Sequence, residues 1–96
     1  MISLEICASI AASKLHEFNQ SKLIFIDRLQ HFEGYVGFRE KAGHKFVMQI
    51  DWESRKTMNA FLDSEDYRFF HGAIITLSEN YQTHLIDNKK ANTDHQ

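Results

Sequence analysis

At 96 residues, with 43% hydrophobic residues and eight phenylalanines, the chain has room for one domain and too much apolar content to stay disordered. A formal net charge of −2 offers no basic footprint for nucleic acid, and the single Cys7 excludes a disulfide framework or an intrachain zinc knuckle. No apolar run approaches the roughly 20 residues of a membrane span, and Met1–Glu5 lacks the basic and apolar regions of a secretion signal, so a cytoplasmic protein is expected.

Ile2, Leu4, Ile6, Ala8 and Ile10 alternate with Ser3, Glu5, Cys7 and Ser9, a period of two that predicts a first strand with one apolar face. From Ala12 to Gln30 the period lengthens. Leu15, Phe18, Phe25 and Leu29 follow helical spacing and Ile26 widens the stripe, while Lys22 interrupts it and is expected to snorkel. His31 to Gly34 ends this helix, with Gly34 free to take a left-handed conformation. Tyr35–Phe38 and Lys45–Trp52 read as two strands of a hairpin turning at Ala42-Gly43-His44. Ser54 is a candidate N-cap for a short helix carrying Met58, Phe61 and Leu62. Ser64 caps the next, with Glu65 and Asp66 in its first turn and Tyr67, Phe70, Ile74 and Leu77 as its stripe. Tyr81–Ile86 forms a last strand.

That order, strand, helix, two strands, broken helix, strand, is the α+β ferredoxin-like βαββαβ arrangement with an antiparallel sheet. One domain spans 1–87, followed by a polar, frayed tail at 88–96. Helices on one side of the sheet leave the other side open. A second copy of the chain is its simplest cover, giving a homodimeric α+β barrel.

No phosphate loop, HExxH or CxxC occurs. None of His16, His31, His44, His71, His84 and His95 stands three or four positions from another, so no helical metal pair exists and no metal site is expected. His71 follows Phe70 and lies one turn beyond Tyr67, at the edge of the apolar stripe. It is either a ligand or proton-transfer group facing a pocket, or a boundary histidine bonded to a carbonyl or water, and spacing alone favours the second. Cys7, on the minor face of the first strand, either lines a cavity or fills a small volume. Trp52, Phe61, Tyr67, Phe69 and Phe70 read as core first and pocket wall second.

Glu33-Gly34-Tyr35-Val36-Gly37-Phe38, then Trp52-Glu53-Ser54, then Phe61 to Tyr67 and His71 resemble the antibiotic biosynthesis monooxygenase (ABM) superfamily. The shared pattern is GxxG before the second strand, W-x-S at the start of the second helix and S-x-x-[FY] opening the third. The resemblance runs from the first strand to about Leu77 and implies the same ferredoxin-like subunit in a dimeric barrel. It also implies one of two activities in a pocket between sheet and helices. One is cofactor-free oxidation of quinol-like or polyketide aromatics by molecular oxygen. The other is haem degradation of the IsdG type, which the stretch from Phe61 to His71 resembles most. In that second group the proximal haem ligand falls on His71, the haem-distorting Trp on Phe61 and the distal Asn on Cys7, so one functional position of three matches. The chain is also shorter between Leu77 and Tyr81 than the haem degraders.

The leading expectation is therefore a monooxygenase acting without cofactor on a small aromatic or quinol-like molecule. His71 would be its polar catalytic group, and Cys7, Trp52, Phe61, Tyr67 and Phe70 would line the pocket. Haem bound through His71 is one alternative. A non-catalytic ligand-binding or dimerisation module is the other, since fold alone does not transmit function.

Overall fold

The alternation of the first strand builds the centre of the sheet. In the computed structural model, which describes residues 1–41 and 45–87, β1 (Ile2–Ile10) pairs antiparallel on both sides. The expected hairpin turn at 42–44 and the polar tail at 88–96 lie outside the described residues. The sheet has four strands in the order β2-β3-β1-β4, formed with β2 (Tyr35–Lys41), β3 (Phe46–Trp52) and β4 (Ser78–Asp87). Ile2, Leu4, Ile6 and Ala8 are buried under the helices, and across the ladder Trp52, Ile50, Met48 and Phe46 stand opposite them. The architecture is α+β with helices on one face, as the order of periodicities requires.

The first helix begins later than its apolar spacing suggests. Ala12–Lys14 winds as a 3-10 turn with no side-chain cap, and α1 (Leu15–Leu29) follows, burying Phe18, Phe25 and Leu29. Gly34 then takes a φ of 82°, reversing the chain into β2, and its carbonyl accepts the Glu53 amide at 2.8 Å. β2 carries an irregularity between Tyr35 and Gly37, which leaves Val36 outside the pairing with β3.

α2 (Arg55–Leu62) starts at a reciprocal cap. The Ser54 hydroxyl accepts the Thr57 amide at 3.2 Å, and the Thr57 hydroxyl faces the Ser54 amide at 3.3 Å. Ser54→Ala leaves the Thr57 amide to water and is expected to lower stability by about 0.5–2 kcal/mol, read as a shifted urea midpoint at constant slope. α3 (Glu65–Leu77) is capped by Ser64, whose hydroxyl accepts the Tyr67 amide at 3.2 Å and donates to the Phe61 carbonyl at 2.5 Å. That single serine ties the end of α2 to the start of α3.

β4 starts at Ser78, immediately after Leu77, rather than at Tyr81. Ser-Glu-Asn has poor strand propensity. Pairing with β1, where Ser78 stands opposite Ile10 and Asn80 opposite Ser9, overrides it.

Rings dominate the core. Phe25 stacks on Phe70 at 3.9 Å, Trp52 lies 4.8 Å from Phe61, and Phe18 meets Phe46 edge-on at 4.9 Å. The opposite face of the sheet is open and mostly polar. Ser3, fully buried even there, donates to Asp51 at 2.6 Å, and Arg39 reaches the same carboxylate at 3.4 Å.

Candidate functional site

Polar side chains enter the space between sheet and helices at one corner, where α3 faces β4. Tyr67 and His71 lie one turn apart on α3, with ring centroids 5.7 Å apart. Tyr81 stands opposite Ala8 in the register, so it projects to the helix side of β4. Its hydroxyl lies 3.0 Å from that of Tyr67, and its ring meets His71 edge-on at 5.1 Å. Burial, then the hydrogen bond and charge of Tyr67, push the Tyr81 hydroxyl well above the ordinary phenol range. Tyr81 therefore stays protonated and acts as a hydrogen-bond donor or acceptor, not as a base. His71, half-buried, is the imidazole of this cluster and lies in ring contact with both tyrosines.

This corner continues into the aromatic core. Tyr67 packs edge-on against Phe61 at 5.2 Å, and Phe61 leads to Trp52. The Trp52 ring is fully buried among Phe32, Tyr35 and Phe61, and its Nε1–H has no hydrogen-bond partner among the described residues. A buried N–H without a partner costs about 1–3 kcal/mol. The interior thus holds unspent hydrogen-bonding capacity at Trp52 and a polar corner at Tyr67, His71 and Tyr81.

The candidate residues divide between two sides of the sheet. His71, Tyr67, Phe61, Phe70 and Trp52 all lie on the helix side. Phe61, Phe70 and Trp52 are completely buried and packed ring against ring rather than bordering a groove. Cys7 is on the other side, because the buried neighbours Ile6 and Ala8 take the inward positions of β1. Its thiol donates toward Glu5 at 3.7 Å, and burial, then the Glu5 carboxylate, raise its pKa. Cys7 borders a shallow groove of about 210 Å³ with Ser9, Lys45 and Gln82. Of the positions the resemblance matches to the haem degraders, His71 and Phe61 lie on the helix side of the sheet, while Cys7 faces away from His71 on the other side.

Tyr81 carries no signal of its own in the sequence. It lies in a predicted strand, but its pairing with Ala8, which turns it towards His71, depends on a register that no local pattern states. Among the described residues, no group of three or more His, Cys, Asp or Glu side chains could hold a metal ion. No helix among them is long and apolar enough to cross a membrane.

No protein-family model matches the chain, and no curated protein matches it in sequence. Solved structures match in fold. An antibiotic biosynthesis monooxygenase superposes with a TM-score of 0.81 at 11% identity, over 91% of this chain and 97% of that one. SnoaB, a cofactor-independent oxygenase from Streptomyces nogalater, gives 0.79 at 12% identity, over 90% of both chains. A conserved protein from Methanosarcina mazei Go1 gives 0.82 at 11% identity, over 88% of this chain and 89% of that one. At these identities the likeness is one of fold, and the chain has the ferredoxin-like fold of the ABM proteins.

Proposed function

We propose that the protein is a monooxygenase that oxidises a small aromatic or quinol-like molecule with molecular oxygen, without a bound cofactor. The observation that carries this reading is the partnerless Trp52 N–H, buried in an aromatic interior that continues to Tyr67, His71 and Tyr81. The similarity in fold to a cofactor-independent oxygenase supports it. A flat substrate carrying oxygen atoms would find rings to stack on, a donor at Trp52 and hydroxyls at the other end.

In this reading the substrate supplies the electrons that reduce oxygen, so the protein's work is limited. Packed rings exclude water. Tyr81, held protonated, donates a hydrogen bond to a developing phenolate or enolate oxygen. His71 takes up the proton the substrate releases. The closed packing of Phe61 and Phe70 implies that the α2–α3 corner yields on binding. A second copy of the chain covering the open face of the sheet belongs to the same proposal. Val47, on that face, would pack across the contact, and the Ser3–Asp51–Arg39 bonds would fix its register.

Oxygen uptake by the purified protein with a panel of hydroquinones and anthrones tests this. Turnover without added metal or flavin is expected, and His71→Gln should lower it about 10²–10⁴-fold, the usual contribution of a positioned base. No uptake across the panel sinks the reading, and full activity in the variant sinks the role of His71.

A further inference from the structure

Lys22 breaks the apolar stripe of α1, and its ammonium lies 2.6 Å from Glu40 on β2 and 5.9 Å from the centre of the Phe46 ring. A cavity of about 310 Å³ opens beside this bridge, between the first half of α1 and the ends of β2 and β3. The strand register decides which side chains face it. Phe46 stands opposite Ala8 and Glu40 opposite Met48, so both turn to the helix side. Lys41 stands opposite Val47, on the open face of the sheet, and Lys45 is the neighbour of inward-facing Phe46. The walls are therefore Ile10, Leu15 and the edge-on pair Phe18 and Phe46, and the charge facing the cavity is one closed ion pair. Lys22 takes Glu40 through Oε1 alone, and among the described residues no donor meets Oε2. The carboxylate is also the more open partner, with 32% of its side chain exposed against 17% for Lys22.

We propose that this cavity binds a small neutral aromatic molecule carrying a hydrogen-bond donor, a phenol or an indole, its ring on Phe46 and Leu15 and its O–H or N–H donating to Glu40. The volume is at the lower end of ligand pockets, about 300–1,000 Å³, which suits a one- or two-ring molecule. Burial of the ring supplies attraction without much choice. Choice comes from the carboxylate, because a hydrogen bond to an ionised acceptor is about twice as strong as one between neutral groups. An anionic ligand would meet Glu40 at close range, and Lys22 could turn to it only by giving up the bridge. A cationic one would have to share Glu40 with the ammonium already there. None of Tyr67, His71 and Tyr81 lines this cavity, so the site is independent of the oxygenase reading and stands if that reading fails.

The test is a titration of the isotope-labelled protein with 2-naphthol, 2-methoxynaphthalene and 2-naphthoate, followed by amide shifts. Saturable shifts at Leu15, Phe18 and Phe46 are expected with naphthol. The methyl ether, which has no proton to donate, and the carboxylate should each bind about tenfold more weakly or worse, as the loss of a hydrogen bond to a charged group implies. Glu40→Gln keeps the side chain's size and releases Lys22 from its partner. In that variant naphthol should weaken and naphthoate should overtake it, since an unpaired ammonium then faces the cavity. The ether or the carboxylate binding as tightly as naphthol, shifts confined to other residues, or no binding of naphthol would each overturn the proposal. So would the same order of the three probes in Glu40→Gln, and if that variant fails to fold, the three probes on the unaltered protein decide alone.

Discussion

Phe61→Ala should cost about 3–5 kcal/mol, the usual range for removing a fully buried aromatic ring. Phe61 has no exposed surface and meets four other rings, Trp52 at 4.8 Å, Phe32 at 5.1 Å, Tyr67 at 5.2 Å and Phe25 at 5.8 Å. These come from α1, the turn after it, β3 and α3, so no single element can shift to fill the void. The four rings would forfeit dispersion attraction on the side facing the gap, beyond the cost of transferring the phenyl group itself. Denaturant unfolding followed by tryptophan fluorescence would measure the loss, since Trp52 is the only tryptophan and touches the ring directly. A loss below about 1 kcal/mol would show an interior loose enough to collapse around the gap. Phe61→Leu, which keeps most of the volume, should cost far less and separates a cavity effect from a failure to fold.

Gly34→Val should be nearly as damaging, for a different reason. A Cβ at Gly34 would stand 2.4 Å from the Cβ and the hydroxyl oxygen of Thr57 and 2.5 Å from its methyl, closer than such atoms approach. The same residue has a φ of 82°, which costs a side-chain-bearing residue about 1–2 kcal/mol. Relieving the overlap adds about 1–3 kcal/mol. Thr57 cannot simply rotate away, because its hydroxyl donates to the Ser54 carbonyl at 2.9 Å and completes the cap of α2. For a domain of this size each kcal/mol moves the melting temperature by roughly 4–8 °C. Gly34→Ala should fall in the same direction by less, and an unchanged melting temperature in both variants would contradict the close approach of Gly34 to α2.

Elements whose signal is periodic were legible from the residues alone. The alternation of Ile2 to Ile10 marks β1 with its observed bounds, and Ser54 and Ser64 cap the helices their positions suggest. The left-handed Gly34 follows from its place after the last turn of α1. What failed were features set by distant partners. Ser78 to Asn80 join β4 only because β1 offers an unpaired edge, and nothing in those three residues favours a strand. Lys22 reads as a snorkelling side chain because Glu40, its partner, is 18 positions away.

The site shows the same division. The alternation that places Cys7 on the minor face of β1 is a stronger guide than the resemblance that sets it in a haem pocket, since successive strand residues face opposite ways. Trp52, Phe61 and Phe70 read as core first, and they are fully buried; Phe69, read the same way, is exposed, because it falls off the buried stripe of α3. The pairing of Tyr67 with Tyr81 across 14 positions carries no local signature.

The junction of α3 and β4 has no intervening loop, and its one irregularity falls at Glu79, between the Ser78–Ile10 and Asn80–Ser9 pairs. Leu77 is the last residue of the helix and Ser78 already pairs with Ile10. Adding one residue there would turn His71 by about 100° relative to the strand, or slip the strand and carry Tyr81 to the far side of the sheet. Either change parts His71 from Tyr81. Under the proposed function, an insertion or deletion at this corner should cost more activity than an exchange of residue type beside it.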